Sequence, residues 1–438
     1  MNIVIIGGNA AGMSAASRIR RRAPEHEVIV LESTNEVSFG ACGMPYYVAG
    51  LNPDINLMRI RPVEKFREQG IDVRLGHTVT AVDRDAKTVS GVNENGKFTV
   101  QYDRLAVCSG SSAIVPPIEG KDLAGVFTLK NLSDAAALKA ALGEDRRVVI
   151  VGGGYIGLEL AEACLLRNVK SLTVVEAAPK LLTTFDDEFG DAAAEELRKH
   201  GAEVRLGERV AGFQGKGGKL TAVETDGGIY DCDVAVLAVG VRPNTAFVDV
   251  EKLGNGALIT DRSLRTGDPD IFAAGDCATA WHRLLKSPVY LPLGTHANKQ
   301  GRLLGDAILG KEVCLDRALG TSMLRLAGLE FACTGISEKI AREKGIPYKT
   351  KTVAARSHAR YFPDPAEITV KLVYSPDTHV ILGAQMMGAK ETALRIDIFA
   401  LAVDRAMTTE ELGFADLGYA PPFASVWDAV QIAANAAK

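Results

Sequence analysis

The chain has 438 residues, 47% of them hydrophobic and 24% charged, with a formal net charge of −4. That length predicts two or three domains, and the near balance of charge gives no electrostatic reason to bind nucleic acid. No apolar run approaches the ~18 residues that cross a bilayer, and seven cysteines with no Cys-x-x-Cys pair argue against a disulfide framework or zinc ribbon and for a reducing cytoplasm.

Ile3–Ile6 read as a buried parallel strand, so the chain opens with no room for a signal peptide. Gly7, Gly8, Asn9, Ala10, Ala11 and Gly12 follow, then a helix from Met13 to about Arg22. Strand, glycine turn and helix are the context of a dinucleotide fingerprint, whose backbone N–H groups face a pyrophosphate. Asn9 is a departure, since it replaces the middle glycine. A second strand, Val28–Leu31, ends in Glu32, where a ribose diol would be held.

The stretch Ser38-Phe39-Gly40-Ala41-Cys42-Gly43-Met44-Pro45-Tyr46-Tyr47 comes next. Glycines on both sides of Cys42 let a flat ring approach the backbone closely. The residue types point to Cys42 as a redox sulfur stacked against a flavin; a small core cysteine is the bland alternative.

A second fingerprint begins at Val148 and carries Gly152, Gly154, Tyr155, Ile156 and Gly157, with Glu159 one turn into the helix. Its following strand ends in Glu176, which would bond the 2′-OH of NADH and repel the 2′-phosphate of NADPH. Lys180 is the nearest cation in sequence. The repetition extends further. Val73-Arg74-Leu75-Gly76 recurs as Val204-Arg205-Leu206-Gly207, each copy is followed by a hairpin, and the copies close on Ser109-Gly110 and Gly240. Two modules, each with its own acid, imply two dinucleotides, a bound flavin and a diffusing nicotinamide.

Gly275 and Asp276 then end a buried strand, which can aim a carboxylate at a sugar-like hydroxyl chain. From about Met323 the alternating strands and an Ala-rich tail read as a separate α+β domain with an oligomer interface.

These motifs, with Tyr419-Ala420-Pro421-Pro422-Phe423, resemble the pyridine nucleotide-disulfide oxidoreductase superfamily in its single-cysteine branch. That branch holds the coenzyme A-disulfide reductases, NADH oxidases and NADH peroxidases. Cys42 to Tyr47, Tyr419, and Tyr361 in Ala359-Arg360-Tyr361-Phe362-Pro363 are most similar to the coenzyme A-disulfide reductases. The oxidases and peroxidases carry a histidine in the first glycine loop, where this chain has Ala10. No rhodanese domain is expected, because the sequence ends at Lys438.

The resemblance implies an α/β architecture. A discontinuous FAD domain takes residues 1–112 and 253–322, an NAD(P)H domain 113–252, and a C-terminal α+β dimerisation domain 323–438. It implies an FAD-dependent NAD(P)H oxidoreductase that reduces coenzyme A disulfide, or a CoA persulfide or polysulfide, with CoA as substrate and as a mixed-disulfide adduct on Cys42. Cys42, Tyr361 and Tyr419 would be catalytic, the tyrosines reaching in from the partner of a homodimer. Cysteine attacks as thiolate; a helix N-terminus and the flavin would favour that form. Ser38 and Phe39 would line the substrate site, and Arg18 and Arg22, four residues apart on one helix face, would meet CoA phosphates. Lys65 and Arg67 are weaker candidates, and His296 and His358 could approach the substrate. No metal site is expected, because the histidines lack ligand spacing. Two other readings compete: an NADH oxidase or peroxidase working through a cysteine sulfenic acid, and a flavoprotein redox sensor or electron-transfer partner. No membrane partner is expected.

Overall fold

A computed structural model describes residues 1–437. Two five-stranded parallel sheets share one strand order. In the first, Asp72–Arg74, Glu27–Leu31, Asn2–Ile6, Arg104–Val107 and Ile271–Ala273 lie side by side. In the second, Glu203–Leu206, Ser171–Glu176, Arg147–Val151, Val234–Leu237 and Val126–Phe127 take the same places. Both central strands are continuous aliphatic runs because both faces are covered. Ile3, Val4, Ile5 and Ile150 are fully buried, and each such side chain contributes about 1.5–3 kcal/mol.

The repeat seen in the sequence extends to the covering layers. Thr78–Asp83, Thr88–Asn93 and Gly96–Gln101 form an antiparallel sheet on the first module. Val210–Lys216, Lys219–Thr225 and Ile229–Asp231 do the same on the second. Ser111–Ala113 and Val241–Pro243 pair antiparallel where the chain crosses between the modules.

The helices Ala10–Arg22 and Gly294–Ile308 cross in backbone contact. A Cβ on Gly301 would strike the backbone of Ala11, so only glycine permits this approach. The C-terminal domain is an antiparallel sheet in the order Ser322–Leu326, Leu329–Gly335, Ile381–Gly388, Glu367–Tyr374, Lys349–Arg356. Helices Ile396–Asp404 and Ala429–Ala436 pack on it.

A buried polar knot fixes this domain to the second module. Lys371 lies 3.0 Å from Asp186, 2.6 Å from Glu188 and 2.9 Å from Glu338. The Asp186 N–H donates to Gln385 at 2.7 Å, and the Asp186 carboxylate accepts the backbone N–H groups of Glu338 and Lys339. Among the described residues, no helix is long and apolar enough to cross a membrane, and no group of three or more His, Cys, Asp or Glu side chains is placed to hold a metal.

Candidate active site

The two modules open into one cavity of about 2620 Å³. Of the sequence candidates, Gly7, Gly8, Ala11, Glu32, Phe39, Cys42, Ser109, Gly110, Gly275 and Asp276 line its first-module side. Gly152, Gly154, Tyr155, Ile156, Glu159, Glu176 and Gly240 line the other. Gly12 and Gly157 stand behind the wall. A Cβ on either would strike the carbonyl of Gly7 or Gly152, so they set the close packing of helix on strand.

The glycine turns are built alike. The Gly8 N–H donates to Glu32 at 2.7 Å, and the Gly153 N–H donates to Glu176 at 2.6 Å. The second oxygen of each carboxylate accepts the N–H two residues on, Thr34 or Ala178, at 2.7 Å in both. Glu32 also accepts the hydroxyls of Ser33 and Thr34, at 3.3 and 2.8 Å; at Glu176 the corresponding residues are Ala177 and Ala178. This glycine cradle with its acid fits a dinucleotide in each module: the close-approach glycines leave room for a pyrophosphate, and the acids stand where ribose hydroxyls arrive.

Cys42 lies in the short turn Ala41–Gly43, ahead of the helix Met44–Val48. Asn9, the departure in the first fingerprint, fixes this loop: its side-chain oxygen accepts the Phe39 N–H at 3.0 Å. Ser38 holds a left-handed backbone with φ of 49°, donates its N–H to Gly8 at 2.9 Å and accepts the Ile60 N–H at 2.9 Å. The loop is thus tied to the glycine turn at two successive residues.

Cys42 is exposed to the cavity, and the helix Gly294–Ile308 begins against it. A Cβ on Gly294 would sit 3.7 Å from the Cys42 sulfur, and the positive end of that helix favours a thiolate. Against this, the enclosing protein and then the Glu159 and Asp276 carboxylates push the thiol up; Lys130 acts in the opposite direction. Net, the protein's own groups raise the Cys42 thiol.

Glu159 is pushed up to about 7 by burial and then by its neighbour Glu162. Glu162 is buried and bonded to Arg325 at 2.7 Å. Asp276 accepts the Ser111 hydroxyl at 2.9 Å and faces Lys130 at 3.2 Å. The Tyr155 hydroxyl meets Ser322 at 2.5 Å, joining the second fingerprint to the C-terminal domain.

Other expectations meet a different environment. Arg18 is forked onto Asp306, with Nε 3.0 Å from both oxygens and Nη2 2.6 Å from Oδ2. It secures the crossing of two helices rather than presenting a free guanidinium; Arg22 is exposed. Lys65 pairs with Glu68 and Arg67 bonds the Val73 carbonyl. His358 is buried between the Ser357 hydroxyl and the Pro363 carbonyl, where it holds a loop. His296 is pushed down to about 4 by burial and then by Lys299. Tyr361 and Tyr419 join hydroxyls at 2.5 Å on the exposed face of the C-terminal domain and do not line this chain's cavity. Exposed Phe414, Phe423, Val426 and Trp427 lie on the same domain.

Sequence reading missed Lys130, Tyr290, whose hydroxyl donates to the Asp276 carbonyl at 3.0 Å, and His282. Each comes from a segment with no motif. His282 Nδ1 accepts the N–H groups of Leu284 and Leu285, and burial followed by His296 pushes it down to about 4.

Comparison with known proteins agrees with this architecture. Residues 1–301 match the pyridine nucleotide-disulphide oxidoreductase family, and residues 324–430 match the dimerisation domain of the same family. The chain is 38% identical over 443 residues to the NAD(P)H sulfur oxidoreductase (CoA-dependent) of Pyrococcus abyssi, covering 100% of this chain and 98% of the relative. It is 33% identical to the NADH oxidase of Methanocaldococcus jannaschii, covering 99% and 98%. The crystal structure of reduced Bacillus anthracis CoADR-RHD superposes with a TM-score of 0.95 at 31% identity, covering 100% of this chain and 80% of that one. With the twin nucleotide modules, the cysteine at their junction and the dimerisation domain in place, the chain belongs to the pyridine nucleotide-disulphide oxidoreductase family.

Proposed function

We propose that this protein is a homodimeric NAD(P)H-dependent reductase of coenzyme A disulfide, or of a CoA persulfide or polysulfide, acting in the cytoplasm through Cys42. One observation carries the reading: Cys42 is the exposed cysteine on the cavity that both modules share. The sulfur relatives and the structural neighbour support it.

Gly7, Gly8, Ala11, Glu32, Ser109, Gly110, Gly275 and Asp276 would hold FAD. Gly152, Gly154, Tyr155, Ile156, Glu176 and Gly240 would hold the nicotinamide nucleotide. When bound, the flavin supplies the two-electron link between nicotinamide and sulfur. The Cys42 thiolate attacks one sulfur of the CoA disulfide; the Cys42–CoA disulfide forms and one CoA thiolate leaves. Two electrons from NAD(P)H then cleave that mixed disulfide, returning the Cys42 thiolate and the second CoA thiol. A persulfide or polysulfide is cut by the same attack on a sulfur–sulfur bond. Glu159, balanced between its two forms near neutrality, can hold a proton on the cavity wall. Ser38 and Phe39 would shape the substrate mouth, and Arg22 would meet CoA phosphate.

A second reading, an NADH oxidase, is favoured by the relatives of that name. Against it, the first glycine turn presents Ala10 to the cavity, with no acid or base.

Mass spectrometry of the intact protein, with and without dithiothreitol, tests the reading. A reducible adduct of CoA mass on the Cys42 peptide is expected. Cys42→Ser should keep FAD and lose both the adduct and disulfide turnover. A bare or peroxide-oxidised Cys42 with rapid oxygen consumption would favour the oxidase.

A further inference from the structure

The two modules match down to single hydrogen bonds, so differences between matched positions are informative. In the first module the Gly76 and His77 N–H groups donate to the carbonyls of Thr34 and Glu32, at 3.1 and 2.8 Å. In the second, Gly207 and Glu208 donate to Ala178 and Glu176, at 3.0 and 3.1 Å. His77, Thr78 and Val79 line the cavity on one side; Glu208, Arg209 and Val210 line it on the other. Arg209 therefore occupies the place of Thr78, one residue beyond the bond to the acid-bearing strand end.

The local bonding leaves Arg209 available. Its N–H donates to Asp226 at 2.9 Å, and its carbonyl accepts the Asp226 N–H at 3.1 Å, so the backbone is fixed from both sides. The adjacent acid is engaged elsewhere: Glu208 accepts the hydroxyls of Thr225 and Tyr230 at 2.9 and 2.7 Å. Arg209 is exposed and lines the cavity. Lys180, the cation nearest to Glu176 in sequence, is held by Asp191 at 2.6 and 2.7 Å and does not line the cavity.

We propose that Arg209 is a specificity-determining residue of the nicotinamide-nucleotide site, the cation that admits a 2′-phosphate beside Glu176 and so lets the enzyme use NADPH as well as NADH. Glu176 alone would exclude the phosphate; an arginine nearby accommodates it, with the planar, permanently charged fork that suits phosphate. The inference rests on placing the nicotinamide nucleotide in the second module. The matched first module, which would hold a dinucleotide without a 2′-phosphate, has a neutral threonine at this position.

The test compares Arg209→Thr, Arg209→Lys and Lys180→Ala in the FAD-loaded enzyme. For Arg209→Thr, the NADPH KM should rise about tenfold and the NADH KM by less than about twofold, with an unchanged melting temperature. Displacement of a fluorescent adenine nucleotide by adenosine 2′,5′-bisphosphate should weaken to the same extent, while displacement by ADP should not. Arg209→Lys should keep most of the 2′-phosphate binding, and Lys180→Ala should change neither. Equal weakening toward NADH and NADPH would overturn the proposal, because it would mean that Arg209 only stacks on adenine; so would no change toward either. If neither ADP nor the bisphosphate competes with NADH, the placement of the nucleotide falls together with the proposal.

Discussion

The side-chain oxygen of Asn9 accepts the backbone N–H of Phe39 at 3.0 Å, joining the first glycine turn to the loop that carries Cys42. The residue that breaks the first fingerprint is therefore one of those that fix the Cys42 loop. Asn9→Ala leaves that N–H without its partner, at a cost of about 1–3 kcal/mol if it stays dry. Turnover with CoA disulfide should fall roughly tenfold or more, while the flavin absorbance of the purified protein is retained. Full turnover in Asn9→Ala would show that the loop is held by Ser38 alone.

Glu159 links site electrostatics to pH. Its carboxyl ionises near pH 7 in the folded protein, against 4.5 ordinarily. The folded state therefore binds the extra proton between those values, and stability falls as pH rises through that window. Glu159→Gln removes this cost. Its melting temperature should match the parent at pH 4 and exceed it at pH 8, by an amount worth roughly 1–3 kcal/mol. Because the Glu159 carboxylate also pushes up the Cys42 thiol, alkylation of Cys42 at pH 7.5 should speed up in the same variant.

Lys371 is buried among three carboxylates. Lys371→Met leaves buried Asp186 without its cation while Glu338 and Glu188 reach solvent, at a cost of about 3 kcal/mol. The lysine holds the Glu338 carboxyl below its usual range. That contribution is present above the ordinary carboxylate pKa and is lost as pH falls through the depressed one. The variant's deficit in melting temperature should be largest near pH 7 and shrink toward pH 3.

Tyr361 and Tyr419 stand outside their own chain's cavity. A role in catalysis thus requires the partner subunit. Tyr361→Phe with Tyr419→Phe should lower disulfide turnover by tenfold or more, and Cys42→Ser should abolish it. Mixed dimers of the two variants, formed by subunit exchange, should regain activity, because each contains one site with both parts. No recovery on mixing would assign the tyrosines a packing role.

Most of the framework was legible because it is local. Strand, glycine turn, helix and terminal acid follow one another within about thirty residues, and the repeated Val-Arg-Leu-Gly segment announced the second copy. What was not legible depends on residues brought together across the chain. Arg18 has the spacing of a phosphate ligand, yet Asp306 takes it. Nothing near Asp276 in sequence announces Lys130, which meets it across 146 positions. Cys42 read as a redox sulfur from its flanking glycines, but the burial that raises its thiol, and the Glu159 and Asp276 carboxylates that add to it, come from the assembled fold.

The unequal dressing of the two acids bears on how each would meet a ligand. Glu32 is clamped by two backbone N–H groups and two hydroxyls, so its orientation is set before a ligand arrives and little ordering remains to be done. Glu176 has the two N–H groups alone and a wall with alanines where the first module has hydroxyls. One fold, used twice, thereby presents one acid fixed in advance by four bonds and one, held by two, that an arriving ligand can still order.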